Sequence, residues 1–340
     1  MQRLASRLIS LMPRLTVIRS SAKALENAQH NLPYGSRTIL DLVNRLTPKG
    51  PKSAIVIAAG PSLHRKNPVR TILKNRYQGE VIAVDGALAY CLRNGLVPDY
   101  VVTLDPHPTR VCRWFGDPEL ESRPDDDYFR RQEMDPYLGI DEYARNRELI
   151  DLVNRHGPKI RAIISTSVAP AVTRRCLEAG MQLYWWNPIF DDVEDPESMT
   201  QRVYRLNKVP CMVSGGNVGS AAWIFAHQVL RKKEVALVGM DLSYTPDTPI
   251  EKTQYSKEIR DLFGERATDA FIRVHNPYLK ETWYSDPAYY WYRQTFLQMA
   301  READCVTFNC TEGGILFGKP IRFVPLLEFF NKRNRKRKRS

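Results

Sequence analysis

The chain has 340 residues, 43% hydrophobic and 26% charged, which is the usage of a globular protein with enough chain for one large or two small domains. No apolar run reaches the roughly 18 residues a spanning helix needs, and Arg7 and Arg14 interrupt the only stretch resembling a secretory leader. The net charge of +12 sits at the ends: residues 1–52 hold nine Lys/Arg against two acids, and Lys332–Arg339 adds seven basic residues and no acid. The body between is close to neutral. This speaks against a specific nucleic-acid-binding domain, which carries its positive charge on the folded surface.

The first element is a helical pattern with Leu4, Leu8, Leu11 and Leu15 at three- and four-residue spacing. Arginines intervene, and no acid appears before Glu26. Three readings fit: an interfacial helix on an anionic membrane, a transit-like leader, or a helix docked on the domain through its leucine stripe. Residues 1–52 therefore form a basic, partly helical extension. Apolar runs follow at 53–59, 81–85, 100–105, 159–165, 181–186, 234–241 and 305–309. Most are continuous rather than alternating, as strands buried on both faces of a parallel sheet are. Helical patterns at 62–77, 86–95, 169–179, 216–231 and 287–303 lie between them. The alternation predicts an α/β, Rossmann-like, doubly wound and mostly parallel sheet of about seven strands, all within a single domain over 53–330. The segments 106–158 and 243–286 do not fit the alternation. Their length, charge and aromatic content read as lid-like insertions. Residues 331–340 read as a basic disordered tail. The six cysteines form no CxxC and have no zinc-ligand spacing to histidine, which points to free thiols in a reducing cytoplasm.

Ligands of open α/β sheets bind beyond the carboxyl ends of the strands, so those ends supply the candidate site. They are Gly60, Pro61 and Ser62; Asp85 and Gly86; Asp105 with His107; Thr166 and Ser167; Asn187; Asp241 followed by Tyr244; and Thr311 with Glu312. Gly60-Pro61-Ser62 opens a helix whose free amides suit an anion, but the segment is neither a GxGxxG nor a Walker motif. Ser214, Gly215, Gly216 and Asn217 make a second amide-rich turn before a helix. Each also has a plain reading as a tight strand–helix connection. If the two turns share one ligand, Gly60 and Gly216 must lie within about 20 Å, roughly four strand spacings. Asp85, Asp105 and Asp241 suit ribose hydroxyls, a cation beside a pyrophosphate, or helix capping. His275, in the second insertion, is the general-base candidate by position.

The segments GPSL, VDGALAYCLRNGLVPDYVVTLDP, SGGNVGSAAWIFAHQVL, EVALVGMDLSYT and FNCTEGG together resemble the MptE-like family over about 53–315. That family includes 6-hydroxymethylpterin diphosphokinases and the motility-associated factor (Maf) glycosyltransferases. A more distant likeness is to small bacterial sialyltransferases. It implies that His275 is the base and Tyr244 the contact to the donor phosphate, although Asp85 stands where those enzymes carry Asn. The resemblance implies a nucleotide-dependent transferase, read first as a glycosyltransferase that moves a sialic- or nonulosonic-type sugar from a nucleotide to a glycan or protein acceptor. The alternative is a diphosphokinase using a nucleoside triphosphate, with Mg2+ on Asp105 and Asp241 and a pterin stacked on Trp186. A third reading is a non-catalytic nucleotide-sugar-binding protein. No other cofactor is implied. The basic ends suggest a cytoplasmic protein peripheral to the inner face of a membrane.

Overall fold

The computed structural model describes residues 3–47, 50–107, 109–123 and 141–337. Eleven strands occur among them. In chain order they are β1 Ser53–Ile57, β2 Glu80–Val84, β3 Tyr100–Thr103, β4 Arg161–Ser165, β5 Gln182–Pro188, β6 Cys211–Met212, β7 Glu234–Val238, β8 Ile272–Asn276, β9 Glu281–Ser285, β10 Val306–Asn309 and β11 Arg322–Phe323. Nine form one sheet in the order β11-β10-β7-β1-β2-β3-β4-β5-β6, and every pairing in it is parallel. All seven apolar runs are strands of this sheet. The two additional strands, β6 and β11, are two-residue edges, too short to show a period.

The continuous apolar runs have a direct cause. Every residue of β1 is buried, as are all but the first of β2, β4, β5 and β7, because helices cover both faces. Successive residues of β4 serve opposite sides: Ile163 joins one core cluster, while Ala162 and Ile164 join the other. Each such isoleucine contributes roughly 1.5–3 kcal/mol on full burial.

The expected helix over 62–77 is broken. Ser62–Lys66 and Pro68–Lys74 are separate helices, joined by Asn67 in a left-handed conformation (φ 43°). Pro68 is the reason, since it lacks the N–H that a continuous helix would use and constrains the residue before it. The insertion 243–286 is ordered around an antiparallel hairpin of β8 and β9. Of the insertion 106–158, the described part holds the helix Glu142–His156, and 124–140 lie outside the described residues. A helix runs over Leu326–Arg337, into the segment read as a disordered tail. All six cysteines are free thiols.

The extension is a helix, α1, Arg3–Asn31. Ala5 and Ile9 are buried against Ile272, and Leu4 and Leu8 pack on the cluster around Tyr244, Ile259 and Phe271. Near its other end two buried asparagines fasten it to the sheet. Asn27 Nδ2 donates to the carbonyls of Ser167 (2.8 Å) and Pro106 (3.2 Å). Asn31 Nδ2 donates to the carbonyls of Thr166 (3.0 Å) and Val168 (2.9 Å), and its Oδ1 accepts from Thr173 Oγ1 (2.8 Å). α1 is therefore docked on the domain, across the carboxyl ends of β3 and β4.

Candidate functional site

The chain lays down β1 to β6 in one direction across the sheet, then returns to place β7 on the other side of β1. In doubly wound sheets such a reversal is where connections leave for opposite faces and where ligands bind, in the crevice between them. Gly60-Pro61-Ser62 follows β1 here, and Gly239-Met240-Asp241 follows β7.

Backbone bonds knit the two ends together. Ala58 N donates to Val238 O at 2.9 Å, and Gly60 N to Gly239 O at 2.8 Å. The Asp241 carboxylate accepts from Ser62 N at 3.2 Å and from Ser62 Oγ. A Cβ on Gly60 would fall on the Asp241 carboxylate, which explains the glycine without a ligand. Gly239 is left-handed (φ 68°), and a Cβ there would collide with the Ala58 carbonyl. A third strand end closes the cluster: Thr311 Oγ1 accepts from Met240 N at 3.0 Å, and Ile315 N donates to Asp241 O at 2.9 Å. Gly313 and Gly314 press against Ser62 and Asp241. These two glycines, part of the FNCTEGG segment but not of the strand-end candidates, belong to the site.

Asp241 is 1% exposed, and burial pushes its carboxyl up to about 7, with the Ser62 bonds opposing the shift. The carboxylate fills the position at the helix start that an anion would otherwise take. Ser62 and Asp241 thus hold β1 to β7, while the half-buried Ala59, Gly60 and Pro61 face the crevice.

The Ser214–Asn217 turn follows edge strand β6, yet its helix, Val218–Ile224, crosses back over β1, β2 and β3. A Cβ on Gly219, the second residue of that helix, would lie 2.6 Å from Met240 Sδ, so the helix packs on the connection that follows β7. Asn217 caps the helix, its Oδ1 accepting from Ser220 N at 2.9 Å, and Ser214 Oγ accepts from Gly216 N at 3.3 Å. Gly216 (φ 84°) lies under the rings of Trp291 and Tyr292.

The remaining candidates are distributed as follows. Asp85 is buried and accepts from Gly86 N and Thr103 Oγ1, each at 2.8 Å. Asp105 is half-buried, and its Oδ1 accepts from His107 N at 2.9 Å. Thr166 Oγ1 donates to Asn187 Oδ1 at 2.6 Å, and Ser167 Oγ donates to Leu104 O at 3.0 Å. Both residues lie under α1, away from the crevice. Tyr244 is 1% exposed. Its hydroxyl donates to Asp286 Oδ2 at 2.6 Å and accepts from Gln254 N at 3.2 Å, so it is committed inside the insertion. Burial raises the Asp286 carboxyl to about 6. His275 alternates outward on β8, exposed beside Thr282 Oγ1 at 3.4 Å, whereas its neighbour Asn276 points inward and donates to Gly314 O at 2.8 Å. His107 is the histidine of the strand-end loops proper; its Nδ1 lies 3.3 Å from Thr109 N, which donates to it.

A cation shared by Asp105 and Asp241 does not fit this arrangement. The order β7-β1-β2-β3 separates them by three strand spacings, about 14 Å, and both Asp241 oxygens face Ser62. Among the described residues no group of three or more His, Cys, Asp and Glu side chains is placed to hold a metal. Trp186, read as a stacking surface for a pterin, is enclosed in the core, with its Nε1 donating to Ile163 O at 3.3 Å.

Removal of the Asn31 amide is expected to loosen α1. Asn31→Ala leaves two carbonyls and the Thr173 hydroxyl unpaired in a buried site, a loss of about 2–3 kcal/mol. Hydrogen exchange should then speed up along α1 and leave β1 and β7 protected; unchanged exchange in α1 would mean that the leucine contacts alone hold it.

Fold and crevice together define a Rossmann-like doubly wound α/β protein. The family model described as 6-hydroxymethylpterin diphosphokinase MptE-like matches residues 23–114, which bears out the MptE-like resemblance over a segment holding Gly60–Ser62, Asp85, Gly86 and Asp105. Over nearly its whole length the chain is also similar in fold to a solved structure, the MAf glycosyltransferase from Magnetospirillum magneticum AMB-1. The TM-score is 0.55 at 16% sequence identity, covering 90% of this chain and 38% of that one. The chain thus spans under two fifths of that protein. No curated protein matches it. Among the described residues no helix is long and apolar enough to cross a membrane.

Proposed function

We propose that the protein is a nucleotide-dependent glycosyltransferase that seats a nucleotide-activated sugar in the crevice between β1 and β7. The observation that carries this reading is the gathering of the strand ends Gly60–Ser62, Gly239–Asp241 and Thr311–Gly314 at the sheet's reversal point, with the helix that Ser214–Asn217 opens packed on Met240 through Gly219. The fold likeness to a Maf glycosyltransferase agrees with it. In this reading the backbone of Ala59–Pro61 and Gly86 lies along the nucleotide. The loop of Asp105 and His107 borders the sugar, and the insertion built on β8 and β9 covers it. His107 Nε2, when it carries the proton, is a donor suited to charge developing on the leaving phosphate. His275 serves as acceptor base only if β8 turns toward the strand ends. Tyr244 acts through Asp286, holding the insertion together rather than touching phosphate. A sialic- or nonulosonic-type sugar and a glycan or protein acceptor are the finer form of the proposal.

The family match to a diphosphokinase description supports a second reading, with a nucleoside triphosphate as the ligand. A thermal-shift series with CMP, UDP, GDP and ATP, each with and without Mg2+, separates the two. Glycosyl transfer predicts stabilisation by a sugar-carrying nucleotide without metal, of about 3 kcal/mol at a hundredfold excess over Kd. Stabilisation confined to ATP with Mg2+ would replace it with the diphosphokinase reading. Binding of a sugar nucleotide that is never consumed would make the protein a binder.

A further inference from the structure

The leucine stripe of α1 is used by the fold over only its first two turns. Ala5 and Ile9 turn inward and are buried, with Leu4 and Leu8 packed beside them. Leu11 and Leu15 turn outward and remain 40% and 46% exposed. Arg7 and Arg14 are exposed with them. Positions 7, 11, 14 and 15 fall at spacings of four, seven and eight, a single helical face. No acid occurs before Glu26, so the face is positive throughout. Among the described residues the most exposed large apolar side chain, Leu262 at 74%, lies on the neighbouring helix Ser256–Phe263, whose Ile259 and Phe263 share a cluster with Leu4 and Leu8. Scattered surface leucines are ordinary. A leucine pair flanked by arginines, on a helix already anchored before it at Leu4–Ile9 and after it at Asn27 and Asn31, is a surface of defined chemistry.

We infer that the outward face of α1 docks the protein on an anionic lipid bilayer, with Leu11 and Leu15 at the level of the headgroups and Arg7 and Arg14 against lipid phosphates. Charge complementarity selects this occupant. A second copy of the same face would set arginines against arginines, whereas an anionic surface neutralises them along the whole helix. The arginine stems lie along the apolar boundary while their guanidinium groups reach the phosphates. Docking in this orientation requires no helix to enter the bilayer core. Because α1 crosses the carboxyl ends of β3 and β4, it also brings that edge of the sheet to the membrane. If the crevice is the transferase site proposed above, its acceptor is then one presented at a membrane surface.

The test is flotation of the full chain with phosphatidylcholine vesicles, with and without phosphatidylglycerol, over a range of salt. Binding is expected only with the anionic lipid and should fall steeply with salt. The Leu11→Ser/Leu15→Ser pair should weaken it about tenfold or more. The Arg7→Gln/Arg14→Gln pair should weaken it and flatten the salt dependence. Both pairs are at exposed positions, so circular dichroism should be unchanged. Deletion of residues 332–340 should leave binding within about twofold. Three results would overturn the inference: equal binding to neutral vesicles, undiminished binding by the leucine pair, or loss of binding on tail deletion alone. Absence of vesicle binding together with a dimer dispersed by the leucine substitutions would assign the face to a second copy instead. Nucleotide binding is not read in any arm, so failure here and failure of the transferase reading are distinguishable.

Discussion

Gly239→Ala is expected to destabilise the protein by about 4 kcal/mol. Two costs add. The backbone is left-handed at this residue (φ 68°), which burdens an L-residue by roughly 1–2 kcal/mol. The new methyl also meets the Ala58 carbonyl, which cannot swing aside because it lies where β1 and β7 are bonded. Overpacking against a fixed backbone costs about 1–3 kcal/mol more. Gly95→Ala is the matched control. Gly95 is left-handed as well (φ 78°), but nothing lies within 4 Å of its Cβ position, so only the backbone cost should appear. Urea midpoints of the two variants measure the difference; equal losses would mean that the β1–β7 contact is soft.

The second large effect is a dependence on pH. The Asp241 carboxyl is raised to about 7 in the fold, against roughly 3.9 in an unfolded chain. The folded state therefore holds the proton more tightly, and the stabilisation is complete below the unfolded value. It is lost as pH rises through the folded value, by about 4 kcal/mol in all. Asp286, raised to about 6, acts in the same direction. His227 opposes both: it is half-buried beside Trp223 and depressed by desolvation to about 4, so its contribution is lost as pH falls. The total profile mixes these groups, and Asp241→Asn isolates one of them. Asn keeps the shape and removes the titration. Relative to the parent, the variant should gain about 3 kcal/mol between pH 5 and pH 8. Parallel stability profiles would show that Asp241 is not the group that takes the proton.

Burial made the fold legible. Ser53–Ile57 and Glu234–Val238 read as continuous apolar strings because helices cover both their faces, and no other element produces that pattern at that length. Cys211–Met212 and Arg322–Phe323 gave no signal, since two residues have no period. Pro68 was a visible break in the pattern over 62–77. The alternation of Ile272, Val274 and Asn276 was a strand signal hidden in a segment dominated by tyrosine and proline. At the site, Gly60, Ser62 and Asp241 were legible as strand-end residues. What could not be read is that two of them satisfy each other: Ser62 and Asp241 are 179 positions apart, and only the sheet order brings them together. The same holds for Asn27 and Asn31, two ordinary polar residues on a helix until their partners in the β4 loop are known. His275 was placed by order along the chain, which cannot tell the inward from the outward face of a strand.

The docking of α1 also has a consequence in time. The chain is made from its amino end, and the partners of Asn31 follow it by 135, 137 and 142 positions. At 5–20 residues per second, roughly 7–30 s pass between the synthesis of α1 and that of the loop that fastens it. During that interval the whole leucine stripe of the helix is open, Leu4 and Leu8 with their partners unmade and Leu11 and Leu15 as they remain in the finished fold. The nascent helix is then at its most adhesive, and whatever it meets on leaving the ribosome meets it before the sheet does.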